Sequence, residues 1–172
     1  VNRLIEILKL IGVKVKNLNS GKYSFKADKL ELEFLKSDKF ISLSKSLRGS
    51  IMIVGPLLSR FGFGSIPRPG GDKIGRRRLD THFESFKKLG AQFNYDKKES
   101  FFNVKATKLK GCDILLDEAS VTGTANIIMS CVLAEGRTTI YNAACEPYIQ
   151  QLCNLLNMMG SKIYGIGSNF LT

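Results

Sequence analysis

The stretch FKKLGAQF at residues 86–93 says most about the fold, because its pattern occurs three times along the chain. LKLIGVKV at residues 8–15 and LNMMGSKI at residues 156–163 also join the end of an apolar-periodic helix to a glycine and a short strand. A glycine suits the left-handed backbone position that ends a helix before a strand. The three copies lie about 70 to 80 residues apart, which indicates a repeated unit.

A second pattern falls between these copies. LLSRFGFGSI at residues 57–66 and VLAEGRTTI at residues 132–140 each predict a helix, a glycine and a strand, with Gly64 and Gly136 in equivalent places. One unit then runs helix, strand, strand, strand, helix, strand. Because helices alternate with short strands, we expect an α/β fold whose helix-covered sheets mix parallel and antiparallel pairing.

The apolar periodicity assigns the individual elements. Helices are predicted at residues 2–11, 44–61, 80–89, 122–134 and 147–159. Strands are predicted at residues 13–16, 21–26, 30–34, 64–67, 91–95, 101–105, 112–116, 137–141 and 161–164. Pro56 lies inside the second helix, where its ring displaces a backbone hydrogen bond and should bend the helix.

Composition limits the protein class. Of 172 residues, 44% are hydrophobic and 24% are charged, as in soluble globular proteins. The longest apolar run, residues 51–58, is far shorter than a membrane span. The four cysteines show no zinc-site spacing, and we expect reduced, mostly buried thiols in a cytosolic protein. The chain opens directly in a helical pattern at Val1, which suggests a fragment of a longer protein.

The net charge of +11 favours an anionic partner. Nucleic acid is one candidate, but the lysines are scattered and the sequence has neither an aromatic RNA-reading motif nor a zinc finger. The clustered charge is at Arg76, Arg77 and Arg78, beside glycines. That arrangement points to a compact anion such as phosphate at least as well as to a polymer.

The stretch PGGDKIGRRRLDTHF, residues 69–83, leads into the helix predicted at 80–89. Asp80 or Thr81 is the expected N-cap, and free N–H groups at the helix start would suit a phosphate. A surface loop with solvated arginines explains the same residues. Asp72, after two glycines, is either a general acid with a raised pKa or an ordinary turn residue.

Two further segments carry candidate binding groups. DEASVTGTANIIMS, residues 117–130, places Ser120 and other small hydroxyl residues where a helix begins. These residues fit a plain N-cap or an anion site on backbone amides. Arg48, near the start of an apolar helix, either contacts a ligand or extends to solvent along its aliphatic stem.

The residues 47–91, which include PGGDKIGRRRLDTHF, and the stretch from DEASVTG to Gly160 resemble the UDP-N-acetylglucosamine 1-carboxyvinyltransferases, an enolpyruvyl transferase family of peptidoglycan synthesis. The resemblance covers essentially the whole chain, and several motifs occur in the family's order. It implies inside-out α/β barrels built from βαβαββ units. Residues 1–172 would form one barrel domain of about two complete units and partial ones at its ends, with a second domain absent.

The resemblance also implies an activity. The enolpyruvyl group of phosphoenolpyruvate is transferred to the 3-hydroxyl of UDP-N-acetylglucosamine and phosphate is released, in the cytoplasm, without a metal or organic cofactor. Neither nucleic acid nor a membrane is an implied partner. The missing second domain would be one, and the fragment should be inactive alone. Two rival readings are the sister enzyme that acts on shikimate 3-phosphate and a basic RNA-binding module related to RNA cyclases.

Site roles carry over position by position. Asp72 falls where most members have the cysteine that protonates the enolpyruvyl methylene, and Arg48 would contact the UDP-sugar. The segment that embraces the uridine end corresponds to Arg77, Arg78, Leu79, Asp80 and Thr81. The segment that holds the diphosphate corresponds to Glu118, Ala119, Ser120 and Val121. Arg78 replaces a frequent proline, Glu118 replaces a residue that is often basic or neutral, and His82 has a supporting role.

Overall fold

The computed structural model describes residues 1–70 and 78–172. The first part of the chain contains three helices and three strands: α1 Asn2–Leu10, β1 Lys14–Asn19, β2 Lys22–Lys26, α2 Asp38–Lys45, α3 Val54–Phe61 and β3 Phe63–Pro67. Two 3-10 helices, Leu32–Lys36 and Arg48–Ile53, precede α2 and α3 respectively. The remaining elements are α4 Asp80–Lys88, β4 Gln92–Asp96, β5 Phe101–Lys105, β6 Asp113–Leu115, α5 Val121–Cys131, β7 Thr139–Tyr141, α6 Pro147–Met158 and β8 Phe170–Leu171.

The strands of the described residues form three small sheets. The first is the β1–β2 hairpin alone, and the second has the order β3-β5-β4 with antiparallel pairing throughout. The third has the order β6-β7-β8, in which β6 and β7 are parallel and β7 and β8 antiparallel. The prediction of mixed pairing is confirmed, and the stretch from α4 to β7 follows the predicted order of one unit.

Several elements predicted for the first half of the chain are wrong. The strand predicted at 30–34 is the 3-10 helix Leu32–Lys36, in which Leu32 and the buried Leu35 lie three residues apart and share a face. The long helix predicted at 44–61 is divided between α2, the 3-10 helix Arg48–Ile53 and α3. Pro56 lies in the first turn of α3, three residues after the 3-10 helix Arg48–Ile53 ends, and not in the interior of one long helix.

Two other predictions need correction. Gly62, with φ +67°, ends α3, whereas Gly64 lies within β3. A side chain on Gly62 would collide with the carbonyl oxygen of Ala106, so the backbone there must approach closely. The strand predicted at 161–164 is not formed; instead Tyr164 and Thr172 exchange two backbone hydrogen bonds, beside the short strand β8, which the sequence did not reveal.

The core lies where the helices meet the second and third sheets. Its fully buried side chains include Ile7, Phe40, Ile66, Phe86 and Ile127. Helices α3 and α5 cross at Gly55, where any side chain would overlap the side chain and backbone oxygens of Asn126. This crossing brings α5 close to the Arg48–Ile53 helix, where Nδ2 of Asn126 donates to the backbone oxygen of Ile51 at 3.0 Å. Among the described residues, no helix is long and apolar enough to span a bilayer.

Cysteine chemistry is only partly as expected. All four thiols are free, but Cys145 is exposed and only Cys153 is buried. Cys131 is partly buried against the apolar core, and the removal of water from its thiol raises the pKa to about 12. A thiol that stays protonated at neutral pH is a poor nucleophile, so Cys131 has a packing role.

Candidate functional site

Three segments that are distant in sequence meet at one junction. Arg48, at the start of its 3-10 helix, donates from Nη2 to the backbone oxygen of Arg78 at 2.9 Å. Arg78 lies just before α4, and its Nη1 is 2.7 Å from Oδ2 of Asp117. Asp117 precedes α5 by four residues. The predicted binding residues of these segments are therefore neighbours in space.

The guanidinium of Arg78 joins two of these segments through ion pairs. Its Nε donates to Oδ2 of Asp80 at 3.0 Å, in addition to the contact with Asp117. The hydrogen bond to Asp80, followed by the negative charge of Asp117, raises the pKa of Arg78 above its ordinary value. All three side chains are about half exposed, so water screens the attraction. The two ion pairs therefore fix the orientation of the Arg78 side chain, and they add little to the stability of the fold.

The start of α4 differs from the prediction. Its N-cap is Leu79, whose side chain makes no capping bond, and neither Asp80 nor Thr81 holds the N-cap position. Thr81 lies inside the helix and is buried, and its Oγ1 donates to Oδ1 of Asp117 at 3.1 Å. Because Thr81 donates its hydroxyl to Asp117, it joins α4 to the segment before α5 and does not cap a helix.

The start of α5 agrees with the prediction. Ser120 is the N-cap, and its Oγ accepts from the N–H of Gly123 at 3.2 Å. The N–H groups of Val121 and Thr122 lie in the first turn, where the helix itself offers no acceptor and its dipole is positive. Glu118 and Ala119 are exposed beside this turn. An anion placed there would meet backbone donors on one side.

Close packing fixes the two helix starts relative to each other. A Cβ on Gly123 would lie 3.0 Å from the Cβ of Ser120 and 3.0 Å from Cγ2 of Thr81. Both distances are tighter than ordinary van der Waals contact, so a side chain at this position would require Ser120 or Thr81 to shift. The first turn of α5 is thereby held against the first turn of α4.

A buried histidine lies behind this junction. His82, in α4, is 1% exposed and contacts Thr122 and Asn126 of α5. Burial, together with the positive charge of Arg48, lowers the pKa of His82 from 6.5 to about 4. The imidazole is therefore neutral at physiological pH, and Arg48 brings the only charge that acts on it appreciably in the described part of the chain.

Not every predicted residue can be located. Asp72, Arg76 and Arg77 lie outside the described residues. The other predicted site residues gather at the junction: Arg48, Arg78, Leu79, Asp80, Thr81, Glu118, Ala119, Ser120 and Val121. Sequence reasoning missed Asp117 and Asn126. An asparagine inside an otherwise apolar helix was the available signal for Asn126.

The surroundings of the junction are open and polar. A depression of about 200 Å³ beside it is lined by both acids and bases, among them Arg78, Asp80, Lys88 and Asp117. Three larger depressions, of about 350 to 390 Å³, lie elsewhere and are mainly apolar. Residues 1–70 and 78–172 contain no group of three or more His, Cys, Asp or Glu positioned to hold a metal ion. The guanidinium groups of the junction and the first-turn N–H groups of α5 can hold an anion.

The family model for EPSP synthase (3-phosphoshikimate 1-carboxyvinyltransferase) matches residues 1–171. Among curated relatives, the UDP-N-acetylglucosamine 1-carboxyvinyltransferase of Bacteroides thetaiotaomicron is 58% identical over 172 residues, covering 100% of this chain and 40% of the relative. The enzyme of the same name from Porphyromonas gingivalis is 55% identical over 171 residues, covering 99% of this chain and 39% of the relative. The chain thus spans about two fifths of the length of such relatives.

Solved structures agree on the fold. The enolpyruvyl transferase NikO from Streptomyces tendae superposes with a TM-score of 0.77 at 15% identity, over 99% of this chain and 39% of that chain. An EPSP synthase from Acinetobacter baumannii gives a TM-score of 0.71 at 18% identity, over 99% of this chain and 38% of that one. At such identities the likeness concerns architecture only.

Proposed function

Because the chain belongs to the EPSP synthase (3-phosphoshikimate 1-carboxyvinyltransferase) family, we propose that it forms part of an enzyme that transfers enolpyruvyl from phosphoenolpyruvate to the 3-hydroxyl of UDP-N-acetylglucosamine. The observation that carries this choice of acceptor is the 55–58% identity to UDP-N-acetylglucosamine 1-carboxyvinyltransferases along the whole chain. The solved EPSP synthases, at 16% and 18% identity, share only the fold. The product would enter peptidoglycan synthesis in the cytoplasm, and so serve cell shape, the cell cycle and cell division.

The proposed reaction is an addition followed by an elimination. In the addition, the sugar 3-hydroxyl gives up its proton and attacks the enolpyruvyl carbon, and the methylene is protonated to a methyl group. In the elimination, the methyl group loses a proton as inorganic phosphate leaves, which restores the double bond. Asp72 is the proposed proton donor, and a carboxylic acid can serve there if its pKa is raised near neutrality. The chemistry proposed needs no metal or organic cofactor.

The junction would hold the UDP portion of the acceptor. Ser120 and Val121, with the first-turn N–H groups of α5, would receive the diphosphate, since a helix start binds phosphate well. Arg48 and Arg77 would supply charge-assisted donors. Arg78 would act with Asp80 and Asp117 to keep the start of α4 in place. Glu118, exposed beside the turn, would point away from the phosphate charge.

The domain organisation is also a proposal. The chain would be one barrel-type domain made of about two complete units, and a second domain of the same protein would complete the active site. We therefore expect the 172-residue chain alone to bind UDP-N-acetylglucosamine weakly and to release no phosphate from phosphoenolpyruvate.

The test requires a protein of family length. The aligned segment of the Bacteroides thetaiotaomicron relative is replaced by this chain, and phosphate release is measured with phosphoenolpyruvate and each acceptor. We expect turnover with UDP-N-acetylglucosamine and background with shikimate 3-phosphate. The unmodified relative is the control for assembly. A folded chimera that turns over shikimate 3-phosphate, or neither acceptor, would show the proposal to be wrong.

A further inference from the structure

The side-chain amide of Asn126 has only one possible orientation. Its Oδ1 accepts from the backbone N–H of Gly55 at 2.8 Å, and its Nδ2 donates to the backbone oxygen of Ile51 at 3.0 Å. A backbone N–H can only donate and a carbonyl can only accept, so flipping the amide would break both bonds. The second hydrogen of Nδ2 therefore faces Nδ1 of His82, which lies 3.1 Å away.

This orientation decides the tautomer of His82. Because Nδ1 accepts from Asn126, the single hydrogen of the neutral imidazole must be on Nε2. Nε2 is 3.5 Å from Oγ1 of Thr122, in the first turn of α5. The imidazole thus donates to the threonine oxygen, and the threonine keeps its own hydroxyl hydrogen for a different acceptor.

We propose that Thr122 is a further anion-binding residue of this site, and that His82 is the positioning residue that keeps its hydroxyl hydrogen directed outward. Thr122 is exposed, two residues after the cap Ser120, in the turn where the helix offers no backbone acceptor to the first N–H groups. The acceptor would be a phosphate oxygen of a nucleoside diphosphate. The ligand rests on the proposed function above, whereas the hydrogen-bond chain from Gly55 to Thr122 does not.

The first experiment reads the tautomer directly. His82 is the only histidine, so ¹⁵N-histidine labelling of the 172-residue chain gives one unambiguous long-range ¹H–¹⁵N pattern. At pH 7 we expect a protonated Nε2 and an unprotonated Nδ1, with the neutral form persisting until the pH falls to about 4. A proton on Nδ1, or half-protonation near pH 6.5, would overturn the proposal regardless of the ligand.

The second experiment uses calorimetry to measure the binding of UDP-N-acetylglucosamine to the family-length chimera defined above. Thr122→Val removes the hydroxyl at almost constant shape and should weaken binding about tenfold, as expected for one lost bond to a charged acceptor. Thr122→Ser should bind like the unmodified chain. Thr107→Val, an exposed threonine away from the junction, is the matched control. Unchanged binding by Thr122→Val would defeat the assignment.

A third variant separates positioning from packing. In Asn126→Asp the carboxylate can only accept, so it should draw an imidazole hydrogen to Nδ1. Where the ¹⁵N pattern of this variant shows a neutral imidazole, Nε2 is an acceptor for Thr122, the hydroxyl is turned inward, and binding should fall as in Thr122→Val. Where it shows an imidazolium, Nε2 still donates and binding should be unchanged. If Asn126→Asp does not fold, the comparison of Thr122→Val with Thr122→Ser and the tautomer of His82 still test the proposal.

The outcomes distinguish the two proposals. Binding that is lost in Ser120→Ala but kept in Thr122→Val leaves the proposed function standing and overturns the role of Thr122. A folded chimera that carries the unmodified chain and fails to bind UDP-N-acetylglucosamine contradicts the proposed function, and the ligand role of Thr122 falls with it.

Discussion

The hairpins β1–β2 and β4–β5 are two copies of one repeated element in very different surroundings. Each follows a helix and a glycine with nearly the same backbone angle, φ +95° at Gly12 and +97° at Gly90. In the first hairpin Val15 pairs with Phe25, and in the second Phe93 pairs with Val104. Phe25 is nevertheless 51% exposed and Val104 only 1%.

The difference arises outside the hairpins. Strand β5 is central in its sheet, between β3 and β4. The rings of Phe83 in α4, Phe93 in β4 and Phe102 in β5 pack together at centroid distances of 4.4 to 6.1 Å. Within the described residues, β2 is paired only with β1, and every residue of β2 is exposed. A local pattern can therefore specify a hairpin, but the elements packed against it decide whether its apolar residues form core.

The largest expected contrast comes from placing a charge at the equivalent positions. Val104→Asp would bury an unpaired carboxylate and should lower the free energy of unfolding by about 3 to 5 kcal/mol. Phe25→Asp, on the exposed copy, should cost about 1 kcal/mol or less. Urea unfolding followed by circular dichroism measures both. Similar losses at the two positions would mean that the hairpins are equally buried in solution.

A smaller contrast in unfolding free energy is expected between Gly62 and Gly21, two glycines with a left-handed backbone. Gly62→Ala, at the entry to β3, combines a left-handed backbone with a collision against the carbonyl oxygen of Ala106, and should cost about 2 to 3 kcal/mol. Gly21→Ala, in the β1–β2 turn, meets no atom within 4 Å and carries only the backbone strain of φ +78°, about 1 kcal/mol. Thermal and urea unfolding of the two variants should rank them in that order; the reverse order would contradict the close backbone approach at Gly62.

The smallest effect concerns cross-strand charge. Lys14 lies opposite Lys26, whereas the equivalent Gln92 lies opposite Lys105. Lys14→Glu replaces repulsion by attraction and should stabilise the chain by about 0.5 kcal/mol, with Gln92→Glu giving less because it relieves no repulsion. The gain should shrink in 1 M salt through screening. A gain that is independent of salt would show that it is not electrostatic.

The sequence predicted those features that depend on short-range chemistry. The helix-ending glycines Gly12, Gly90 and Gly160, the order of elements from α4 to β7 and the Ser120 cap all follow from residues within a few positions of one another. The 3-10 helix Leu32–Lys36, the role of Asp117 and the pairing of Tyr164 with Thr172 depend on contacts with distant segments. Asp117 could not be recognised in advance, because its two partners come from α4 and the segment before it.

The crossing of α3 and α5 limits how this protein can change over generations. Gly55 cannot gain a side chain while Asn126 is present, since the two would occupy the same space. Asn126 cannot be lost without leaving the buried N–H of Gly55 unsatisfied, at a cost of about 1 to 3 kcal/mol. Substitutions at these two positions, which lie 71 residues apart, are therefore coupled. In related sequences the glycine and the asparagine should be retained together or replaced together.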